Sequence, residues 1–536
     1  MSADKPAGAA SEFASLGGFS EGANRRAAIV LVLTAAGIIG WGLGGHFGGW
    51  HWGGYAGAAI AIALGALVLV VPFVGQSPWS WLMLRLGGRE TISWSEPFTV
   101  ANNRAGGGVR IEDGVAVVAV QLLGKAHAPT VVTGSTRVET DNVLDVATLL
   151  PLLKQPLGLN LDSISVVIAG SRRSRVGDYA RVYDTLIGTT PYAGRRETWL
   201  IVRLNVLDNV EALAWRTTLG AAAIAAGQRV VGALRCGGLR ARLGTATDLS
   251  ELDRRLGGES LTSAAQQWKQ LRAQDGYLTT YAYPTAALRD DVLASAWIFQ
   301  VDEVIQNVTV FGDGTCTATV TVRTPQPLPA PPSVVLRPLY GEQAPALASA
   351  MCGPRPRLRA VPVGPLPEHL HLEIGPSGVL LGKLRNGDRL LVPLADVTDT
   401  SRVFIAGEDP IVKRLVIRAQ GSGERVSVHS GDRHRWASVR MPDVVPVAEP
   451  RPAPRTTISF LDGDLAVSPR PNTVVTVAPL GARPPKDGAA EVIIEQTSGP
   501  LIRVRIGDKE WLVDMGLFTV ENRYCTMESV GMVRAR

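Results

Sequence analysis

Cysteine is scarce in this chain. Four in 536 residues cannot supply a disulfide scaffold, so the fold has to rest on a packed interior. A concentrated charge of one sign is also missing. The 54 basic and 48 acidic residues leave +6 over the whole length, which excludes the dense basic stripe of a dedicated nucleic-acid binder. Lysine is rare too, 8 residues against 46 arginines, and with 58 Gly and 35 Pro this composition reflects GC-rich coding. No HExxH or CxxC occurs, and no GxSxG or GxGxxG stands between strand and helix, so no enzyme of a familiar type is visible. No repeat of fixed period is found. What the chain has is apolar mass: 46% hydrophobic and 19% charged residues, with a mean hydropathy of +0.13, too apolar for a disordered polymer. Its length corresponds to roughly three or four domain-sized units.

The longest absence is local. Between Ala27 and Leu84 there is no Asp, Glu, Lys or Arg. Two helical spans fit there, 27–44 and 55–73, each about 27–29 Å long at the helical rise, close to a bilayer's hydrocarbon thickness. The connecting GHFGGWHWGG (45–54) carries no formal charge, and Trp41, Trp50, Trp52, Trp79, Trp81 and Trp94 fall in or beside the segment, as interfacial anchors do. A signal peptide would show one shorter stretch and a cleavage site. A buried core hairpin is the bland alternative, and a membrane hairpin is the reading adopted. Arg25 and Arg26 precede the first span, Arg85 and Arg89 follow the second, and the loop has no Lys or Arg. The positive-inside rule then places both termini and the large remainder in the cytoplasm, in a multi-pass inner-membrane protein. Small residues recur in rows, with Gly40 and Gly44 in the first span and Gly57 and Gly65 in the second. Such rows let two helices approach closely, although a segment rich in Gly and Ala shows them by composition alone.

The rest reads as an α/β cytoplasmic region with a β-rich C-terminal part. Asp113-Gly114 marks a hairpin turn before the run 115–123, and Asn386-Gly387 another between 379–384 and 389–394. A helix is expected over 141–154, strands over 164–169 and 198–204, and a long helix from Asp208 and Glu211 to Gly237. A short helix follows from Thr247-Asp248. Thr315, Thr317, Thr319 and Thr321 alternate with Cys316, Ala318, Val320 and Val322, a half-buried strand with Cys316 as an inert core thiol. Proline-rich stretches at 324–332, 353–367 and 445–455 read as linkers or long loops. The expected division is a flexible N-terminus (1–26), a transmembrane hairpin (27–84), an α/β domain (90–324), a second α/β unit (333–445) and a β-rich unit (456–536).

Candidate chemistry is thin. Gly407-Glu408-Asp409-Pro410-Ile411-Val412-Lys413-Arg414 follows a predicted strand and opens a helix, where a phosphate loop would read GxxxxGK[ST]. Gly407 and Lys413 match. Val412 replaces the second glycine, Arg414 replaces the magnesium-binding hydroxyl, and two acids would repel phosphate, so a relic or a coincidence is the reading here. His369, His371 and Glu373 alternate as zinc ligands could, but equally as the solvent face of a strand whose Leu370 and Leu372 point inward. The run 171–175 (SRRSR) suits an acidic lipid or partner, or is a solvated loop. His429 and His434 lie near Asp432 without a nucleophile. No catalytic residue, cofactor or metal is assigned.

The order of these pieces resembles the EccE family of the actinobacterial type VII (ESX) secretion system. The resemblance rests on the paired N-terminal spans, ETWLIVRLN (197–205) leading into an Ala- and Arg-rich helix, LRARLGTATDLSEL (239–252), VLLGKLRNGDRLLVPL (379–394) and RVFIAGEDPIVKRLVIRAQGSGERVSVHS (402–430). It implies a non-enzymatic structural subunit of an inner-membrane export complex, in contact with the bilayer, the EccB and EccD membrane proteins and the EccC ATPase, with no nucleic-acid partner. The residue-level alternative is a membrane-anchored enzyme acting on a nucleotide or an activated sugar.

Overall fold

The structure, a computed structural model, describes residues 21–48, 52–70 and 90–526, apart from the stretches 102–105, 135–136, 215, 217, 397–399, 464, 466, 469–472 and 487–489. It divides into two compact units, Met1–Arg89 and Glu90–Arg536.

In the first unit, α1 (Glu21–Gly48) and α2 (Trp52–Val70) pack against each other. Trp41 meets Tyr55 edge-on, with ring centroids 4.4 Å apart. The helices are present, but among the described residues no helix is long and apolar enough to cross a membrane, so the expected spans 27–44 and 55–73 are not established by the fold. Side chains are described only over 33–46 of α1 and 52–64 of α2, each stretch shorter than the roughly 20 residues a bilayer crossing needs. Arg25 and Arg26 lie on α1 with side chains outside that range. Arg85, Arg89, Trp79 and Trp81 lie outside the described residues.

The second unit is mixed α/β and built on two large sheets. The first is antiparallel along its main path, Phe98–Ala101, Gly106–Glu112, Val115–Leu122, Arg195–Asn205, Ser163–Ser171, Glu303–Phe311, Thr315–Thr324, Gly276–Ala282 and Leu271–Ala273. Asp113 (φ 48°) and Gly114 (φ 72°) form the tight hairpin turn, whose two left-handed positions suit the twist of the flanking strands. Helix Leu219–Cys236 covers one face, and Ala246–Arg255 with Gln343–Ala348 the other, which is why the central strands are buried almost without alternation. Cys316 is fully buried, as its strand pattern indicated.

Two helical expectations are corrected. Asp208 and Glu211 open only a short turn, Leu207–Asn209 and Val210–Leu213. The long helix starts later, where the Thr218 hydroxyl accepts from the Ala221 N–H. The segment 141–154 is not one helix, because Val143–Asp145 pairs as a strand with His371–Glu373 and leaves short turns at Val146–Leu149 and Leu150–Leu153. Helix Ala246–Arg255 carries a full capping box between Thr245 and Asp248.

The second sheet has a parallel half and an antiparallel half. The parallel strands run in the order Val444–Val447, Val426–Ser430, Ile458–Asp462, Thr473–Ala478, Ser401–Ala406 and Val492–Ser498. Helix Asp409–Ser422 forms the crossover between Ser401–Ala406 and Val426–Ser430. The proline-rich stretch 445–455 connects strands within this sheet. Antiparallel strands Leu501–Ile506, Lys509–Asp514, Val379–Leu384 and Arg389–Val392 follow. The far edge is the hairpin Thr130–Thr133 and Arg137–Thr140, contributed from near the start of the unit. Gly387 (φ 89°) takes the left-handed place in its turn.

Candidate functional site

In a parallel sheet, ligands bind outside the carboxyl ends of the strands, and the phosphate-loop-like segment lies there. Gly407 follows the strand Ser401–Ala406 and donates its N–H to the Ala478 carbonyl at 3.1 Å. Gln496 closes on it from the neighbouring strand. Its Oε1 accepts from the Glu408 N–H at 2.7 Å, and its Nε2 donates to Glu408 Oε2 at 3.2 Å. Helix Asp409–Ser422 starts at once, with Pro410 in its first turn, so no wide glycine loop forms. Lys413 turns back onto Asp409 at 3.2 Å. Arg414 points elsewhere: it is buried, and reaches the Asn522 side chain and the Pro410 carbonyl.

A cleft of about 450 Å³ opens beside this segment, with Ser430, Asp432, Arg435 and Asp462 in its wall. Arg435 bridges Asp409 (2.7 Å) and Asp462. Asp462 also accepts from Trp436 Nε1 at 2.7 Å and Ser430 Oγ at 2.9 Å. Burial raises the Asp409 carboxyl, but Arg435 and Lys413 outweigh it and hold it below the usual range. The Asp409 carboxylate thus stands in the first helical turn between two cations, where a phosphate loop would receive its phosphate, and the cations are already neutralised from within.

The other sequence candidates separate. His371 is exposed, takes its backbone N–H and its Nδ1 to Asp290 at 2.8 and 3.0 Å, and has His369 stacked beside it. Glu373 instead pairs with Arg196 at 2.7 Å, while Leu370 and Leu372 are buried. His429 is a core residue bonded to Ser459 Oγ at 3.0 Å and the Glu449 carbonyl at 2.9 Å, whereas His434 is exposed. The 171–175 run is neither a solvated loop nor a free basic patch. Arg172 is 2% exposed, pairs with Asp184 at 2.9 Å, donates to the Thr190, Trp297 and Gly188 carbonyls, and lies over the Tyr192 ring. Arg175 pairs with Glu303 at 2.7 Å.

The small-residue rows do come together. A Cβ placed on Gly40 would lie 2.4 Å from the Gly57 carbonyl oxygen, and one on Gly44 2.1 Å from that of Gly53. Gly57 faces the Gly40 carbonyl in the same way, at 2.2 Å. Only the helical backbone of Gly65 is described.

Sequence reading missed a set of buried arginine hubs. Arg203 has no exposed side chain and donates to the Gly353, Ser349 and Met351 carbonyls and to Ser165 Oγ. Burial lowers its pKa to about 10. Arg418 binds Glu521 (2.7 Å) and the Met515 and Gly516 carbonyls. The excess of Arg over Lys was the available signal, since a guanidinium fork with five N–H donors serves more carbonyls at once than an ammonium with three.

The second unit is therefore an α/β body knit by buried arginines, with an internally neutralised, phosphate-loop-like turn. A family model described as "Putative type VII ESX secretion system translocon, EccE" matches residues 192–283. The chain is 54% identical to the ESX-2 secretion system protein EccE2 of Mycobacterium tuberculosis (strain CDC 1551 / Oshkosh), over 96% of this chain and 98% of that protein. It is also 26% identical to the ESX-1 secretion system protein EccE1 of the same strain, over 70% and 77% of the two chains. Similarity to the ESX-5 secretion system protein EccE5 of Mycobacterium marinum is 28% over 41% and 58%. The chain belongs to the EccE family of ESX type VII secretion system components.

Proposed function

We propose that the chain is a non-enzymatic structural subunit of an inner-membrane ESX secretion complex. Its α1–α2 hairpin sits in the bilayer, both termini and the second unit are cytoplasmic, and it docks on EccB, EccD and the ATPase EccC. The near full-length similarity to an ESX-2 secretion protein carries this reading. The charge-free segment 27–84 with arginines on both flanks supports the membrane placement. Asp409, in the place of a phosphate, supports leaving ATP hydrolysis to the ATPase.

The glycine rows provide the test. Gly40→Leu with Gly44→Leu keeps the segment apolar, so insertion should survive. Each new Cβ would meet backbone of α2 at well under van der Waals distance, so the helices must part. The expected result is a reduced yield of partner membrane subunits after mild detergent extraction, with the second unit still resistant to limited proteolysis. Wild-type recovery of partners would shift assembly to the cytoplasmic body alone.

A further inference from the structure

A cavity of about 280 Å³ in the second unit is bounded by the edge strand Arg137–Thr140, by the pair Val143–Asp145 and His371–Glu373, and by the turn carrying Asp290 and Asp291. Its volume is below that of a typical small-ligand pocket and suits one long side chain. The floor is apolar, with Val143, Leu293 and Trp297. The charged residues of the wall are three carboxylates, Asp290, Asp291 and Glu373, against the single guanidinium of Arg137, which is itself paired with Glu139 at 2.9 Å. Arg196 already takes Glu373, with its own Nε and Nη2 left buried without a hydrogen-bond partner, so Asp290 and Asp291 are the carboxylates open to a guest. From the protein side the Arg196 guanidinium lies 4.4 Å from the Trp297 ring centroid. On the solvent side, the partners of Asp290 and Asp291 are the surface residues His371 and Arg289, whose exposed pairs hold them weakly.

The second feature is the strand itself. Arg137–Thr140 terminates its sheet, and among the described residues no further strand pairs with it. An edge strand offers a ladder of backbone donors and acceptors to an incoming extended chain. Arg137 and Glu139 are exposed along it, while Val138 turns to the cavity wall. A chain laid on this edge would send every second side chain toward the cavity. We propose that the cavity and the strand together form a docking notch for an extended, basic segment of another protein, with one Lys or Arg side chain in the cavity. The inference rests on the docking role proposed above and gives it a place and a partner chemistry.

The test uses the purified full chain in mild detergent and labelled peptides of about ten residues that alternate Val with Lys, or Val with Glu, read by fluorescence anisotropy. The Lys peptide should bind saturably and the Glu peptide should not. Asp290→Asn with Asp291→Asn should weaken binding about tenfold by removing the attraction. Ala294→Leu narrows the cavity and keeps every charge, and should weaken it by about as much. Equal uptake of both peptides, or full affinity in the Ala294→Leu protein, would overturn the proposal. Either failure leaves co-purification with partner subunits untouched, so the notch and the scaffold role are judged separately.

Discussion

The C-terminal helix Thr519–Cys525 is held by one carboxylate, and removing it should release the helix. Glu521 and Arg418 have no exposed side-chain surface. The carboxylate takes Arg418 Nε at 2.7 Å and Nη2 at 2.9 Å, accepts from Tyr179 OH at 2.7 Å, and lies 3.3 Å from Arg414 Nε. Burial, with the Glu521 charge beside it, pushes the Tyr179 hydroxyl far above its ordinary range, so it remains a donor. Glu521→Ala would strand two buried guanidiniums, and breaking such a pair from one side costs about 3–5 kcal/mol. The contacts that remain are Tyr524 on Tyr179 with ring centroids 5.0 Å apart, the Arg414–Asn522 hydrogen bond and the Arg440 N–H to Tyr524 carbonyl bond, each worth about 1 kcal/mol, so together they do not exceed that loss. Local release is therefore expected before global unfolding. Hydrogen exchange of the full-length protein should show lost protection over 519–525, and trypsin should cut at Arg523. A double change, Arg418→Met with Glu521→Leu, should recover part of the protection, because only Arg414, which keeps Asn522 and the Pro410 carbonyl, then lacks its carboxylate. Wild-type protection in Glu521→Ala would refute the argument that this ion pair holds the helix.

Arg172→Lys should destabilise the second unit by about 2–3 kcal/mol in denaturant titration, since an ammonium cannot serve Asp184 and three carbonyls at once. Arg175→Ala, at a partly exposed pair, should cost less than about 1 kcal/mol in the same titration. His127 is held neutral by burial, its ring bonded to Ser401 Oγ and the Pro393 carbonyl, and its pKa is lowered. The unfolded chain then binds more protons than the native one below about pH 6.5, so stability should be full above that value and fall as pH drops toward the lowered native pKa. Denaturation midpoints between about pH 5 and 8 should show this limb, and His127→Gln should flatten it. Lys413→Ala should leave assembly and export unchanged, and neither the parent nor the variant should show a nucleotide-dependent thermal shift. Loss of export at normal protein level and assembly would restore the enzyme reading.

Local features were legible in the sequence and long-range ones were not. Asp113-Gly114, Asn386-Gly387 and the alternation around Cys316 are set by turn geometry and strand period over a few residues, and each lies where it was expected. The capping-box pattern at Asp208 was a false start, because Thr218 offers a later cap and the helix begins from it. Val143–Asp145 became a strand because a partner more than two hundred positions away, His371–Glu373, pairs with it. No local rule reports that. Arg172 reads as polar until the carbonyls of 188, 190 and 297 are folded around it. At the candidate site the glycine, the lysine and their place on the sheet were legible. The closing of Arg435 onto Asp409 was not, since Arg435 and Asp462 come from a later turn and strand.

The hairpin Thr130–Thr140 imposes a schedule on synthesis. Val131 pairs with Leu390, so the edge of the second sheet leaves the ribosome roughly 260 residues before its partner, a delay on the order of tens of seconds at ordinary translation rates. In that interval the apolar Val131 and Val132 and one open strand edge have no native partner, and are free to pair wrongly with a neighbouring chain. This edge of the second sheet cannot be made as a finished product and released to wait. Its completion is tied to the arrival of residues 379–392, and truncation anywhere before them leaves an unmatched edge rather than a smaller domain.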